Sequence, residues 1–229
     1  MVRHVIALSL VIAGGGVVAA APSRPAAARD HRGGAACLAR AIELTPHEAG
    51  SQAEDVFTVL PSIAPARFGL GGGDVRAVNF DRTPDGQPIA SEQRLTAEYA
   101  TLGVVMNKIR VSDSVFQGPA SAPNATWNNT PQIFTFTVPV VAVGIVNTSP
   151  DQNLVQLWSG PDATGVLLLE FRDQAKTYAD SAIDRFVGGR ACGDATIGSM
   201  KIVNSAGTDL ELDELVFEVR AGQLRVAQR

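Results

Sequence analysis

From Asp74 onward the chain is a succession of short apolar runs cut by Gly, Pro, Asn and Asp at intervals of roughly 8 to 15 residues. The runs are Val75–Phe80, Gly103–Val111, Gln132–Val138, Val140–Val146, Leu154–Trp158, Val166–Phe171, Ile183–Val187, Ile197–Val203 and Leu210–Val219. None carries the apolar repeat of a long amphipathic helix. A doubly wound α/β fold needs such helices between its strands, so that class is excluded. What remains is an all-β chain, a two-sheet antiparallel sandwich of the jelly-roll kind.

Single runs say more. In Gln132–Val138, Phe134, Phe136 and Val138 take one face of a strand and Thr135 and Thr137 the other. Pro139 reads as its end. Val140–Val146 is apolar on both parities, which predicts a central strand covered on both sides. In the last run the parity changes. Leu210 and Leu212 are even, whereas Leu215, Phe217 and Val219 are odd. A one-residue slip across Asp213 and Glu214 is the pattern of a β-bulge. The last strand therefore carries an acidic pair where it leaves the regular ladder.

The N-terminus reads as a targeting segment. Arg3 and His4 precede an apolar stretch from Val5 to Ala21 with small residues after it, as in a secretory signal peptide. Cleavage fits after Ala20, Ala21 or Ala28, and Pro22 disfavours the middle option. No later stretch has the roughly 20 apolar residues of a second span. The expected organisation is a signal peptide (1–28), an arm and linker (29–73), the sandwich (74–221) and a tail (222–229). Within the arm, Cys37–Leu44 fits a strand or a helical turn. Ser51-Gln52-Ala53-Glu54 is a capping box before Val56, Phe57, Val59 and Leu60, so a short helix ending at Pro61 competes with an extended segment.

Export has consequences for the two cysteines, Cys37 and Cys192. In an oxidising compartment, extracellular or periplasmic, a pair is more often bridged than not. A Cys37–Cys192 bridge would tie the arm to the sandwich. The net charge is −4, with 19 basic and 23 acidic residues, which gives nothing to draw a polyanion and argues against nucleic-acid partners. A monomer is expected.

The order of several short motifs carries a resemblance. Asn79-Phe80-Asp81 leads to Pro84-Asp85-Gly86, then Glu98-Tyr99, Leu102-Gly103-Val104 and Ser121-Ala122-Pro123-Asn124. Phe134-Thr135-Phe136, Val143-Gly144-Ile145, Phe186-Val187-Gly188 and Leu212-Asp213-Glu214-Leu215-Val216-Phe217 follow. From about Val75 to Val219 this resembles the secreted bacterial β-sandwich domains of exosortase-sorted (PEP-CTERM) and other cell-surface proteins. Two departures stand out. Glu214 occupies the place of a second aspartate, and no sorting helix follows Val219. Free secretion is expected over anchoring.

The wider group is similar to galactose-binding-like jelly rolls. There an acid of the first strand and an aspartate of the last often share a structural calcium. The resemblance thus implies Asp81 with Asp213 as calcium ligands, with Glu214 and Asp209 as further candidates. Calcium needs six to eight oxygens, so carbonyls and water would supply the rest. The competing reading is that Asp81 caps a turn and Asp213-Glu214 blunts an edge strand.

Catalytic readings fare worse. The histidines are His4, His31 and His47, all before the sandwich, so no strand carries a general base for a nucleophile. His31, Cys37 and His47 lack a fourth zinc ligand and the usual spacing. A histidine-free glycosidase needs only two carboxylates. Glu170, Asp173, Asp180 and Asp184 are the candidates, and no spacing singles out a pair. The expected function is a non-catalytic module, structural or ligand-binding. The main alternative is a carbohydrate-binding module for envelope or matrix glycans, which wants aromatic platforms beside polar groups. Trp127, set among Asn124, Asn128, Asn129 and Thr130, is the first candidate, with Tyr99 and Tyr178 beside it. Trp158 closes a strand before a Ser-Gly-Pro-Asp turn. For each of these aromatics, packing in the core or at its rim is the competing role.

Overall fold

The computed structural model describes residues 39–44, 74–113, 123–128, 131–149, 151–173, 185–207 and 210–221. The signal peptide, the capping-box segment, Cys37, Tyr178, Asp180, Asp184, Asp209 and the tail lie outside the described residues.

The described chain is built from antiparallel strands: β1 (Ala39–Leu44), β2 (Asp74–Val78), β3 (Arg94–Leu95), β4 (Val104–Met106), β5 (Ile109–Ser112), β6 (Ala125–Asn128), β7 (Gln132–Asn147), β8 (Asn153–Trp158), β9 (Leu167–Arg172), β10 (Arg185–Ala191), β11 (Ile197–Asn204) and β12 (Leu210–Val219). Among the described residues helix is limited to two 3-10 turns, Ala100–Leu102 and Pro161–Ala163. No described helix is long and apolar enough to cross a membrane. The expected all-β antiparallel class is what the chain adopts.

The architecture turns on β7. Its first half pairs with β4 on one side and β11 on the other, through Phe134, Thr135 and their neighbours. Its second half pairs instead with β10 and β12. One strand thus belongs to two layers. The first layer runs β1-β10-β7-β12, and β12 is flanked on its far side by β6 along one half and β2 along the other. β5 and β3 extend it beyond β6. The second layer runs β4-β7-β11-β8-β9.

The change of partner falls at Pro139. This corrects the expectation that Pro139 ends a strand. The strand continues to Asn147, and Pro139 sits at the corner between the layers. Proline has no N–H to give a ladder, so it fits where the ladder is already broken. Both neighbours shift register there, β11 between Ile197 and Ser199 and β12 between Glu218 and Val219. The Pro139 carbonyl still accepts from Arg220 N at 2.9 Å. In β11 the irregular residue is Gly198, where a Cβ would come within 2.5 Å of the Ser159 carbonyl oxygen.

The layers face each other across one apolar core. Phe136 of the second layer packs on Phe217 of the first with ring centroids 5.2 Å apart, and Phe80 lies 6.4 Å from Phe134. Leu95, Ile109, Val155, Leu157, Met200 and Ile202 fill the space between. β7 from Val140 onward is almost wholly buried, as its two-parity apolar run predicts.

Two further differences from the sequence reading have local causes. The run Gly103–Val111 is two strands, because Lys108 turns the chain at a left-handed φ of 61°. The stretch assigned to the arm supplies β1, whose Ala39–Leu44 pairs with Phe186–Ala191 of β10 and joins the sandwich.

Candidate functional site

Three places combine chemistry with position. The first is the acidic pair of β12. The far flank of β12 is taken by β6 from Leu210 to Leu212 and by β2 from Leu215 to Val219. Asp213 and Glu214 occupy the gap between these partners. On the other flank, the register against β7 shifts by one residue between Asp213 and Val216. The predicted bulge is therefore present, with Glu214 at a left-handed φ of 49°. The edge-strand alternative is corrected, since β12 is flanked on both sides and all ten of its residues are buried.

β2 and β12 pair, and this brings Asp81 to the same end. Phe80, just past the end of β2, also has a left-handed φ, 60°. Asp81 Oδ1 accepts the Asn124 backbone N–H at 2.8 Å, and Asp213 Oδ1 accepts the Glu214 N–H at 2.8 Å. Tyr99 reports on both acids. Its hydroxyl donates to the Arg82 carbonyl at 3.0 Å, and its ring meets Phe80 edge-on at 6.3 Å. Burial pushes the phenol well above its ordinary pKa. The negative charges of Asp81, then Asp213 and Glu98, push the same way, against a smaller opposing effect from the Phe80 backbone. Asp81 and Asp213 thus share a neighbourhood. Among the described residues, no three His, Cys, Asp or Glu side chains are grouped to hold a metal, and Glu214 does not complete such a set.

The second place is Trp127, half-buried in β6 and opposite Glu211 of β12. The Arg110 guanidinium lies over the indole, 4.1 Å from its centroid, and pairs with Glu92 at 3.1 Å. Arginine thus covers the ring face that a sugar would use. Tyr99, 2% exposed, is a core residue and not a platform. Cys192 follows directly on β10, whose last residue Ala191 lies opposite Ala39.

The third place emerges only in three dimensions. The two outward-facing sheet surfaces differ. That of the first layer is closed around β12, where Asp213, Val216 and Glu218 are at most 3% exposed and Val146 is 3% exposed. That of the second layer is open. Along β8, Asn153, Val155 and Leu157 are buried, whereas Leu154, Gln156 and Trp158 are half-exposed on the other side. The registers place Lys201 of β11, Gln156 of β8 and Glu170 of β9 in one row across three strands. Gln156 Nε2 donates to Glu170 Oε2 at 2.6 Å. The next row holds Ser199, Trp158 and Leu167. Val166 and Leu167, 56% and 37% exposed, adjoin it and are the exposed large hydrophobics among the described residues.

A rigid loop, Gly160–Thr164, stands at this end of the face. Asp162 N–H donates to Thr135 Oγ1 at 3.0 Å, and Thr135 returns a bond to Asp162 Oδ1 at 2.8 Å. Ala163 N–H donates to Ser199 Oγ at 2.9 Å, and that hydroxyl donates to the Gly160 carbonyl at 2.6 Å. These bonds hold Asp162 and Ala163 at left-handed φ values of 51° and 56°. The only signal for this face in the sequence was the alternation of Leu154, Gln156 and Trp158 with Val155 and Leu157.

The glycosidase carboxylates do not converge among the described residues. Glu170 faces out, whereas Asp173 is fully buried, accepting from Asn147 Nδ2 and the Asn153 backbone N–H. Asp173 lies just past the end of β9, beyond its ladder with β8.

No family model matches the chain, and no curated protein does. Among solved structures, a mutant family 29 carbohydrate-binding module overlaps with a TM-score of 0.31 at 6% identity, covering 63% of this chain and 91% of that one. The overlap is too loose to argue from.

Proposed function

We propose that the chain is an exported, non-catalytic β-sandwich module that works by binding. Its ligand surface is the outward side of the β4-β7-β11-β8-β9 layer, and its ligand is a glycan. The contrast between the two sheet surfaces carries this reading. One is closed, whereas the other offers an aromatic ring, half-exposed aliphatic carbons and a row of hydrogen-bonding side chains on a rigid floor. Binding surfaces combine apolar area with a few fixed polar groups in this way. Retention of the secreted protein on immobilised polysaccharides, compared with Leu154→Lys, is the test. A protein retained by no glycan, or retained equally after that substitution, would remove the proposal.

A second reading concerns stability. We propose that Asp81 and Asp213 hold a structural calcium ion, with backbone carbonyls and water completing the shell. Both acids lie just past the Leu215–Val78 end of the β2–β12 ladder, which supports it.

A further inference from the structure

We infer that the row Lys201–Gln156–Glu170, with Trp158 beside it, reads the hydroxyls of a neutral polysaccharide running across the strands. This rests on the binding face proposed above and goes on to name its ligand class.

The row joins three adjacent strands, so it spans about 10 Å at the usual strand spacing. An ammonium donor stands at one end and a carboxylate acceptor at the other, with an amide that does both between them. A sugar hydroxyl also both donates and accepts, so neighbouring hydroxyls on a pyranose find a partner at each step. The row has one positive and one negative charge, and its formal sum is zero. A uronate or sulfate drawn to Lys201 would meet Glu170 two strands away, which removes the advantage of a charged ligand.

Two atoms point to a missing partner. Gln156 Oε1 and Trp158 Nε1 are both shielded from solvent, and neither has a hydrogen-bond partner. They lie on the same side of β8, two residues apart, one an acceptor and the other a donor. Shielded polar groups are rarely left unpaired. A hydroxyl-rich ligand entering beside Trp158 can satisfy both once the Trp158 and Gln156 side chains rotate to uncover the two atoms. Ordered water is the other occupant such a pair accepts. Leu154 and Leu167 supply apolar surface for the C–H face of the ring. The Gly160–Thr164 loop is fixed by its bonds to Thr135 and Ser199, so little ordering cost is added on binding.

The test is calorimetric titration of the full secreted protein with three soluble probes: a neutral β-glucan, a polyuronate and dextran sulfate. Lys201→Ala and Glu170→Ala are surface changes, and each should weaken the β-glucan about tenfold or more, the loss of one hydrogen bond to a charged group. Arg110→Ala, at the Trp127 stack, should leave it unchanged. Preference for either acidic probe, lost on Leu154→Lys, would overturn the neutral class and leave the binding face standing. Binding that survives Lys201→Ala, Glu170→Ala and Leu154→Lys but disappears in Trp127→Ala would overturn both. No binding of any probe, with Gln156 and Trp158 satisfied by water alone, would do the same.

Discussion

Leu215 of β12 lies opposite Val78 of β2, in a ladder that runs to Val219 and Asp74. This pairing sets β2 beside β12 in the first layer. Beyond Leu215 the ladder stops, and Asp213 and Asp81 are left at its open end around Tyr99.

Tyr99 makes stability fall in alkali. Its folded pKa is raised, so its contribution is fully present below the ordinary value of 10.0 and is lost as pH climbs past that value. Urea unfolding between pH 8 and 11 should show wild type losing stability faster above pH 10 than Tyr99→Phe does. The difference in slope should approach about 1.4 kcal/mol per pH unit. Parallel curves would show that the phenol ionises without cost in the fold.

The calcium proposal predicts a melting temperature that drops on chelation and recovers with added calcium. An ion at a hundred times its dissociation constant contributes about 2.7 kcal/mol. Asp213→Ala should melt at the same temperature with and without chelator. A wild-type protein that ignores chelator would overturn the calcium reading and leave the two acids as acceptors for the Asn124 and Glu214 amides.

Phe217 is fully buried and stacks against Phe136 across the two layers. Phe217→Ala should cost about 3 to 5 kcal/mol, the range for deleting a buried aromatic ring. Chemical denaturation of the two proteins side by side measures it. A loss below about 1 kcal/mol would mean that the layers close over the gap.

Lys108 is exposed and held at φ 61° in the turn between β4 and β5. A left-handed conformation costs a residue with a Cβ about 1 to 2 kcal/mol that glycine is spared. Lys108→Gly should therefore raise the midpoint of thermal unfolding by a few degrees. A lower midpoint would show that the lysine side chain contributes more than the strain removes.

We propose a Cys37–Cys192 bridge, supported by the Ala39–Ala191 pairing of β1 and β10, which sets the chain just after Cys37 beside the chain just before Cys192. The unreduced protein should then weigh two hydrogens less than the reduced one. Reduction should cost up to about 5 kcal/mol, since the loop closed is long. An unchanged mass would dismiss the bridge.

Much of this fold is written locally, and the rest is not. The ends of β12 and its slip at Asp213-Glu214 follow from which residues are apolar and on which parity. β6 left no such trace, since Ala125-Thr126-Trp127-Asn128 has no apolar alternation to show. Pro139 was misleading because a proline that ends a lone strand can also sit at a corner where two partners change together. Lys108 turns the chain without the glycine that usually signals such a turn. Of the site residues, Asp81 and Asp213 were reachable through the pairing of β2 with β12. Gln156, Glu170 and Lys201 were not, because they come from three strands and form no linear motif. Their row exists only once the register is set.

β7 serves both layers, and this governs how the molecule can come apart. A sandwich whose sheets share no strand can shed one and keep the other half-intact. Here each layer would have to tear away a strand bonded on both of its sides, so a pull on the two termini should give a single rupture with no plateau between, and hydrogen exchange should release amides of β10 and β11 together.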